Sequence, residues 1–245
     1  LHDGRRGVVL ARDELDLVRL AVALGLHGRP QLRVDLGDGR VLRRFLAGGD
    51  SEREALVMEH ARSSGYPVPR VLEVTGEALV LDRVDGPTML TELRRRPWTM
   101  RRHAAVLAEL HERLHEIEAP PGLEAAGAGD RLLHLDLHPA NVMMTTAGPF
   151  VIDWTNARRG EPPLDVAMTW VILGTSGGLF GRIFLRSFLP YFHHGETLDA
   201  LPAAAERRIA DPNVTERERQ AVRRLAMRAR RGSAGESRRG TRTRT

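Results

Sequence analysis

The 245-residue sequence contains no cysteine, which excludes disulfide scaffolds, thiolate zinc sites and cysteine nucleophiles. It also contains no lysine: all 37 basic residues are arginine, so any role that lysine has elsewhere falls here to arginine. No stretch without Asp, Glu, Lys or Arg is longer than 16 residues, the length of 166–181, which is shorter than the roughly 20 apolar residues of a membrane-spanning helix. We interpret 166–181 as a buried segment. No secretory signal stands at the start, and we expect a cytoplasmic protein without a membrane partner.

The composition indicates a folded chain with a near-neutral body. Hydrophobic residues make up 42% of the sequence, which is enough for a sizeable core. The net charge is +5, but residues 232–245 alone hold four arginines against one acid. A near-neutral body is poor support for a nucleic-acid-binding protein, so we expect no nucleic-acid partner and take a monomer as the default. Residues 232–245 are of low complexity and are predicted to form a disordered basic tail.

The first part of the chain has the pattern of a small antiparallel sheet with one or two helices. Asp-Gly between alternating apolar runs predicts a hairpin turn at Gly37-Asp38-Gly39. Ser51 and Glu54 have the spacing of a capping box, which predicts the start of a helix. Residues 13–24 fit a helix, or a strand in their second half. The other predicted elements are strands at 31–36, 40–46, 70–74 and 78–84 and a helix at 51–64.

The pattern becomes mainly helical after Gly86-Pro87 interrupts the chain. Thr99 is the predicted N-cap of a long helix that ends near Ile117. Leucines at 107, 110 and 114 form its apolar stripe together with Ile117. The remaining predicted elements are a hairpin of 141–145 with 150–153 and helices near 164–175, 178–192, 198–209 and 215–230.

Three oxygen-bearing side chains follow one another in an order that brings them together. Asp136 lies in a tight loop before the second predicted hairpin, Asn141 stands at the start of that hairpin, and Asp153 ends its returning strand. The hairpin therefore returns Asp153 to the side of Asn141. Hard oxygen ligands of this kind suit Mg²⁺, which takes substrate phosphates as further ligands. A carboxylate beside a metal-bound phosphate can accept the proton of an attacking hydroxyl.

The sequence around these residues reads His-Leu-Asp-Leu-His-Pro-Ala-Asn at 134–141 and Val-Ile-Asp-Trp at 151–154. It resembles the H-x-D-x-x-x-x-N catalytic loop and the I-D-W metal motif of the aminoglycoside phosphotransferase and choline kinase family, which has the protein-kinase-like fold. Weaker similarities extend the resemblance over roughly residues 31–175.

The resemblance implies an α+β protein of two lobes. A small antiparallel-sheet N-lobe, residues 1–84, would bind the nucleotide, and a larger, mainly helical C-lobe, residues 85–231, would carry the catalytic loop and the acceptor site. Asp136 would be the catalytic base, and Asn141 and Asp153 would be the Mg²⁺ ligands. ATP and Mg²⁺ are the cofactors that the resemblance implies.

The family also has a basic residue, normally lysine, on a strand of the N-lobe to bind phosphates, and a helix glutamate that orients it. This chain offers Arg43, which shares a strand face with Val41 because residues two apart point the same way. Val41 is expected against the adenine and Arg43 at the phosphates; the alternative for Arg43 is a solvated surface position. Glu54 fits the helix glutamate, but its role in the predicted capping box competes, and we favour the ion pair.

The adenine is expected to bind backbone groups between the lobes, and position predicts Asp82 to Val84 for this role. No G-x-G-x-x-G precedes the hairpin strands. The nearest candidate for a phosphate-covering loop is Gly25-Leu26-His27-Gly28, on weak grounds.

Three more polar residues near the motif have competing interpretations. His134 is expected to hold the catalytic loop by hydrogen bonding. His138 either touches the transferred phosphate or simply packs. Asp165 is expected to be structural, either as a cap of the following helix or as a brace of the catalytic loop.

The sequence thus predicts an ATP-dependent phosphotransferase that moves the γ-phosphate of ATP to a hydroxyl of a small molecule. A non-catalytic nucleotide-binding protein is the first alternative, because the lysine and the glycine loop are missing. A protein kinase is the weaker one, because Asp165 follows Asp153 by only 12 residues, which leaves little space for an activation loop. The identity of the acceptor stays open, although 11 arginines against 6 acids in 166–231 oppose a strongly cationic one.

Overall fold

The structure is a computed structural model that describes residues 31–45, 50–76 and 78–240, with the backbone alone at 31, 32, 45 and 230–240. A small antiparallel sheet precedes a larger helical part, which confirms the predicted α+β architecture. The predicted helix at 13–24 and the candidate loop Gly25-Leu26-His27-Gly28 lie outside the described residues.

The small sheet consists of two hairpins joined edge to edge. Strands β1 (Gln31–Gly37) and β2 (Arg40–Phe45) form the first, and β3 (Val71–Thr75) and β4 (Ala78–Asp82) form the second. The strand order is β1-β2-β4-β3, and every neighbouring pair is antiparallel. Positive φ angles at 37, 38 and 39 make the first turn, as the Gly-Asp-Gly sequence predicts.

Helix α1 (Ser51–Ser63) begins differently from the prediction. The N-cap is Asp50, whose carboxylate accepts the Arg53 N–H at 2.8 Å, and the Ser51 hydroxyl instead donates to the Gly76 carbonyl. The capping box is therefore wrong: Ser51 is the first helical residue, and Glu54 turns inward, where it is buried. Asp is as good an N-cap as Ser. Asp50, one position earlier, therefore caps the helix, and the Glu54 carboxylate is not needed at the helix end.

The helical part is larger and contains two further small sheets. The pair β6 (Val142–Thr145) and β7 (Gly148–Val151) is the predicted second hairpin, whereas the sequence did not indicate β5 (Arg131–Leu133) with β8 (Arg158–Gly160). Short 3-10 turns occur at Pro97–Thr99, Trp154–Asn156 and Leu189–Tyr191. The helices are α2 (Met89–Arg95), α3 (Met100–His115), α4 (Pro162–Thr175), α5 (Gly178–Phe188), α6 (His194–Ala210) and α7 (Glu216–Gly240).

Helices α2 and α7 depart from the sequence prediction. The pattern did not predict α2, which is only two turns long. Helix α7 continues to Gly240 through part of the segment predicted to be disordered, 232–245.

The core joins the small sheet to the helical part. The predicted stripe of α3 is buried, and it packs with Met58 and Leu79 from the small sheet side and with Trp154 from the second hairpin. A second cluster of buried residues packs α4 against α6 and α7. Almost every side chain from Leu164 to Leu173 is buried, as expected for a segment without charges. Within the described ranges, no helix is both long enough and apolar enough to cross a membrane.

Candidate active site

The segment between β5 and β6 forms a tight loop that carries Asp136. Its backbone is strained, because Leu135 has a φ of 61°, in the left-handed region that residues with a Cβ avoid. The buried carboxylate of Asp165, on α4, accepts the Leu135 N–H at 2.6 Å and the His134 N–H at 3.2 Å. Asp165 therefore braces the loop that carries Asp136, and of the two structural roles considered for it, the helix cap is excluded, since Glu161 occupies that position.

Two buried histidines on α3 stand behind this brace. His115 Nε2 lies 3.1 Å from the Asp165 carboxylate and His111 Nδ1 lies 3.7 Å from it. Burial alone would raise the pKa of the Asp165 carboxyl, but the two nearby histidines, of which His115 forms a hydrogen bond, hold it well below its usual range. Asp165 is consequently ionised and able to accept both backbone N–H groups of the loop.

His134 fastens the loop from the other side. Its Nδ1 accepts the Asp136 N–H at 3.2 Å, so its Nε2 carries the proton and donates to the Ile152 carbonyl, also at 3.2 Å. Burial lowers the pKa of this imidazole, which keeps it neutral. His134 holds the loop by hydrogen bonding, as expected from the sequence.

We predict that Asp165→Ala destabilises the protein and loosens the catalytic loop. The substitution leaves two buried backbone N–H groups without an acceptor and removes the support of the strained Leu135, and we expect a loss of about 2–5 kcal/mol in the free energy of unfolding. Urea unfolding measures this loss, and hydrogen exchange at Leu135 should accelerate. Asp199→Ala, an exposed position on α6, serves as the control and should change stability by less than about 0.5 kcal/mol. Equal protection of Leu135 in both variants would contradict the bracing role.

Asp136 and Asn141 are joined directly. Asn141 Nδ2 donates to the backbone carbonyl of Asp136 at 2.9 Å and to its carboxylate at 3.1 Å. Burial, with the negative charge of Asp153 second, raises the pKa of the Asp136 carboxyl to about 7. His138 Nε2 lies 3.6 Å from the same carboxylate, but burial lowers the pKa of His138 to about 4, so it is neutral and does not form an ion pair. Asp136 is thus a carboxylate that gains and loses its proton near neutral pH.

Asp153 lies where β7 ends, with a φ of 69° that turns the chain into the next 3-10 helix. Its Oδ1 accepts from Arg43 at 2.6 Å and lies 3.1 Å from the Thr155 hydroxyl, while its Oδ2 is 3.7 Å from Arg33. Burial would raise the pKa of Asp153, but the charges of Arg43 and Arg33 lower it below its usual value. The carboxylate is therefore ionised and faces two guanidinium groups.

Arg43 connects the small sheet, α1 and the second hairpin. It is buried, with one amino group on Glu54 and the other on Asp153 and Thr155 Oγ1, the latter at 2.9 Å. Glu54 also accepts the Trp154 N–H at 2.9 Å. Burial raises the pKa of Glu54, and the charge of Arg43 opposes that rise. The structure thus contains the predicted Arg43–Glu54 pair and excludes a solvated Arg43.

The donor set at Asn141 and Asp153 fits Mg²⁺. Asn141 donates through Nδ2, so its Oδ1 is available as an acceptor, and Asp153 presents a second oxygen that no hydrogen bond from the described residues occupies. An amide oxygen and a carboxylate oxygen are the hard ligands that Mg²⁺ prefers. The two residues are also linked through the chain, because the Ile152 N–H donates to the Asn141 carbonyl at 3.0 Å.

The residues predicted for the adenine lie on β2, in the case of Val41, and at the end of β4, in the case of Asp82 to Val84. Val41 pairs with Leu81 across the sheet and is half-buried. The Asp82 N–H donates to the Arg70 carbonyl at 2.9 Å and the Arg83 N–H to the Gly39 carbonyl at 2.7 Å. Neither N–H can bind a base as it stands. Adenine binding at these residues stays a prediction.

The candidate site lies in a cleft of about 950 Å³. Asp136, Asn141 and Asp153 line it on one side and α6 lines it on the other. Sequence reasoning missed Arg33, Thr155 and Arg208, which also line it. Arg208 is held by Glu218 at 2.7 Å, and its charge lowers the pKa of Asp136 against the effect of burial. Only the alternation of side chains between the two faces of β1 could have indicated Arg33. Nothing in the local sequence indicates Thr155 or Arg208.

Two family profiles match the chain. The profile of a phosphotransferase enzyme family covers residues 121–207 and that of a RIO domain covers residues 40–163, so both include the catalytic loop. Sequence comparison with curated proteins returns no significant match.

Solved structures resemble the whole chain. Aminoglycoside phosphotransferase APH(4)-Ia superposes with a TM-score of 0.59 at 13% identity, covering 88% of this chain and 98% of that one. A thermostable mutant of the same enzyme, in a ternary complex with AMP-PNP and hygromycin B, gives 0.58 at 14%, covering 82% and 93%. A choline/ethanolamine kinase family protein from Mesorhizobium loti gives 0.54 at 16%, covering 89% and 94%. At such identities the likeness establishes the fold.

The fold is that of the protein-kinase-like class. Within this class, residues 121–207 match the phosphotransferase enzyme family, and the superposed structures are those of aminoglycoside phosphotransferases and of a choline/ethanolamine kinase family protein.

Proposed function

We propose that the protein is an ATP-dependent phosphotransferase that moves the γ-phosphate of ATP to a hydroxyl group of a small molecule. The observation that carries this proposal is the convergence of Asp136, Asn141 and Asp153 on one cleft, with Arg43 fixed beside them. A catalytic base, two oxygen ligands and a cation are the groups that phosphoryl transfer requires.

Asp136 acts as the base. The acceptor hydroxyl in the cleft donates its proton to the Asp136 carboxylate as its oxygen forms a bond to the γ-phosphorus, and the bond from that phosphorus to the oxygen shared with the β-phosphate breaks, leaving ADP. Asn141 holds the carboxylate in place through Nδ2, and the loop brace fixes its backbone.

The residues that hold the phosphate charge are Arg43, Asn141 and Asp153. Asn141 and Asp153 would hold Mg²⁺, which when bound neutralises the charge of the phosphates. Arg43 presents a planar, permanently charged guanidinium in place of lysine. Glu54 and Thr155 orient it, so its direction is set before the nucleotide binds.

We expect the transfer rate to depend on pH through Asp136. The base must be ionised, and its pKa is raised to about 7, so kcat/KM should rise with pH and level off above about pH 8. In the enzyme with bound substrates, cations close to the Asp136 carboxylate lower its pKa, and the rise in kcat/KM then occurs at lower pH. A pH profile of kcat/KM measures it, and a rate that falls as the pH rises from 6 to 8 would contradict the assignment of Asp136 as the base.

A non-catalytic nucleotide-binding protein is the second candidate. The observation in its favour is that Asp153, the expected metal ligand, faces Arg43 and Arg33. A protein kinase is less well supported, because α4 begins at Pro162, shortly after Asp153, and leaves little space for an activation loop.

Calorimetric titration with ATP, with and without Mg²⁺, is the first test. We expect binding that strengthens with Mg²⁺ and loses that dependence in Asp153→Asn. A screen of hydroxyl compounds with the unmodified protein then tests transfer. Mg²⁺-dependent ATP binding without turnover on any acceptor, and without ATP hydrolysis, would favour the non-catalytic candidate; no binding in either condition would overturn both.

A further inference from the structure

Arg33 and Arg43 are directly opposite one another on β1 and β2. Opposite residues of an antiparallel pair share a face and have their Cβ atoms about 4.5–5.5 Å apart, and like charges in this position destabilise the sheet. Their mutual repulsion must be offset by an anion. Here that anion is Asp153, whose two carboxylate oxygens face one guanidinium each, at 2.6 Å from Arg43 and 3.7 Å from Arg33.

The two arginines differ in how firmly they are held. The Arg43 side chain is 4% exposed and is fixed by Glu54 as well as by Asp153. The Arg33 side chain is 51% exposed, and its contact with Asp153 is longer than a hydrogen bond. A guanidinium has five N–H donors, so Arg33 can donate to a further ligand. Because its side chain is largely exposed, it can also change its orientation.

Arg33 also faces the reaction site. It lines the same cleft as Asp136, Asn141 and Asp153. We propose that Arg33 is a second phosphate-binding residue of the nucleotide site, which contacts the β- and γ-phosphates together with Arg43. The inference rests on the proposed nucleotide-binding function.

The reason is electrostatic. If Asp153 held a metal ion through one of its oxygens, that oxygen would no longer neutralise Arg33, and the triphosphate would supply the replacement anion. The sequence has no lysine, and no G-x-G-x-x-G precedes the hairpin, so a cation on β1 provides part of the charge that the phosphates need. An arginine fork can bind phosphate oxygens in pairs.

The test compares ATP with AMP, which lacks the β- and γ-phosphates. With Mg²⁺ present, calorimetry should show that Arg33→Gln weakens ATP binding about tenfold and AMP binding less than about twofold. Arg33→Lys keeps the charge and should retain most of the ATP affinity. Arg40→Gln is the matched control, because Arg40 lies on the same hairpin and its partner, Asp38, is at the turn; ATP affinity should not change.

Added salt provides a second readout. Screening weakens exposed ionic contacts, so the ATP affinity of the unmodified protein should fall more steeply with salt than that of Arg33→Gln. Melting temperatures confirm that the variants are folded.

Three other outcomes would overturn the inference about Arg33, and one of them would also overturn the proposed function. ATP binding that Arg33→Gln leaves unchanged overturns this inference alone. Equal losses for ATP and AMP also overturn it, because Arg33 would then act through the structure of the sheet. No ATP binding by the unmodified protein overturns the proposed function and this inference together.

Discussion

Asp136→Asn is expected to abolish phosphate transfer and, at the same time, to stabilise the protein at alkaline pH. Asparagine has nearly the same shape and can still accept the hydrogen bond from Asn141 Nδ2, but it cannot accept a proton from the acceptor hydroxyl. A positioned general base contributes about 10²- to 10⁴-fold to the rate. We therefore expect kcat to fall by that factor, while the affinity for ATP changes little.

The gain in stability follows from the raised pKa. The Asp136 carboxyl titrates at about 7 in the folded protein, against 3.8 as the ordinary value. Between these values the folded state keeps a proton that the unfolded state has released, so the contribution of this group to stability falls as the pH rises from about 4 to 7. Above pH 7 the charged Asp136 carboxylate lowers the free energy of unfolding by its full desolvation cost. Asp136→Asn removes this cost because asparagine has no charge.

The expected gain is about 2–4 kcal/mol at pH 8 and close to zero at pH 4, since one pKa unit corresponds to about 1.4 kcal/mol. Urea unfolding at the two pH values measures it. Asp38→Asn, at the exposed first turn, is the control and should alter neither activity nor the pH dependence. Two results would contradict the role of Asp136: retained transfer activity, or a variant that is less stable than the unmodified protein at pH 8.

Arg43→Met is expected to destabilise the protein more than any other single change in the nucleotide site. Methionine fills much of the volume but leaves the buried Glu54 and the partly buried Asp153 without their cation. Removing one partner of a buried ion pair typically costs about 3–5 kcal/mol. We expect a loss of this size in the free energy of unfolding, together with the loss of measurable ATP binding.

A double variant separates the two effects. In Arg43→Met with Glu54→Gln, the unpaired buried charge of Glu54 is also removed, and glutamine can still accept the Trp154 N–H. Thermal or urea unfolding should show that the double variant regains part of the lost stability, whereas calorimetry should show that ATP binding stays lost. Arg70→Met, at an exposed position before β3, controls for the loss of an arginine. If the double variant is less stable than Arg43→Met, the unpaired charge of Glu54 is not the source of the stability lost in Arg43→Met.

Several features of the site were predictable because their signals are local. The turn at Gly37-Asp38-Gly39 follows from residues that tolerate positive φ. Asp136 and Asn141 meet because five positions separate them within one tight loop. His134 bonds to the Asp136 N–H two positions away. In each case the interacting groups are close in the chain, so spacing alone brings them together.

Glu54 had two competing interpretations from the sequence. Its spacing from Ser51 fits a capping box, whereas the ion pair with Arg43 was the favoured role. The structure decides it, because Asp50 satisfies the helix end and Glu54 is buried beside a cation. A buried carboxylate requires a partner charge, and that requirement outweighs an exposed hydrogen bond at the helix end.

The sequence by itself determined most of the longer strands and helices, the buried α4 and the order of Asp136, Asn141 and Asp153, because neighbouring residues encode these features. The tertiary structure decided which groups share the site: Arg43 reaches Asp153 across 110 positions, and Asp165 supports Leu135 across 30. It also decided the pKa of Asp136, since burial and the charge of Asp153 arise only when the chain is folded. Charge and desolvation act through space, and a linear sequence does not record distances in space.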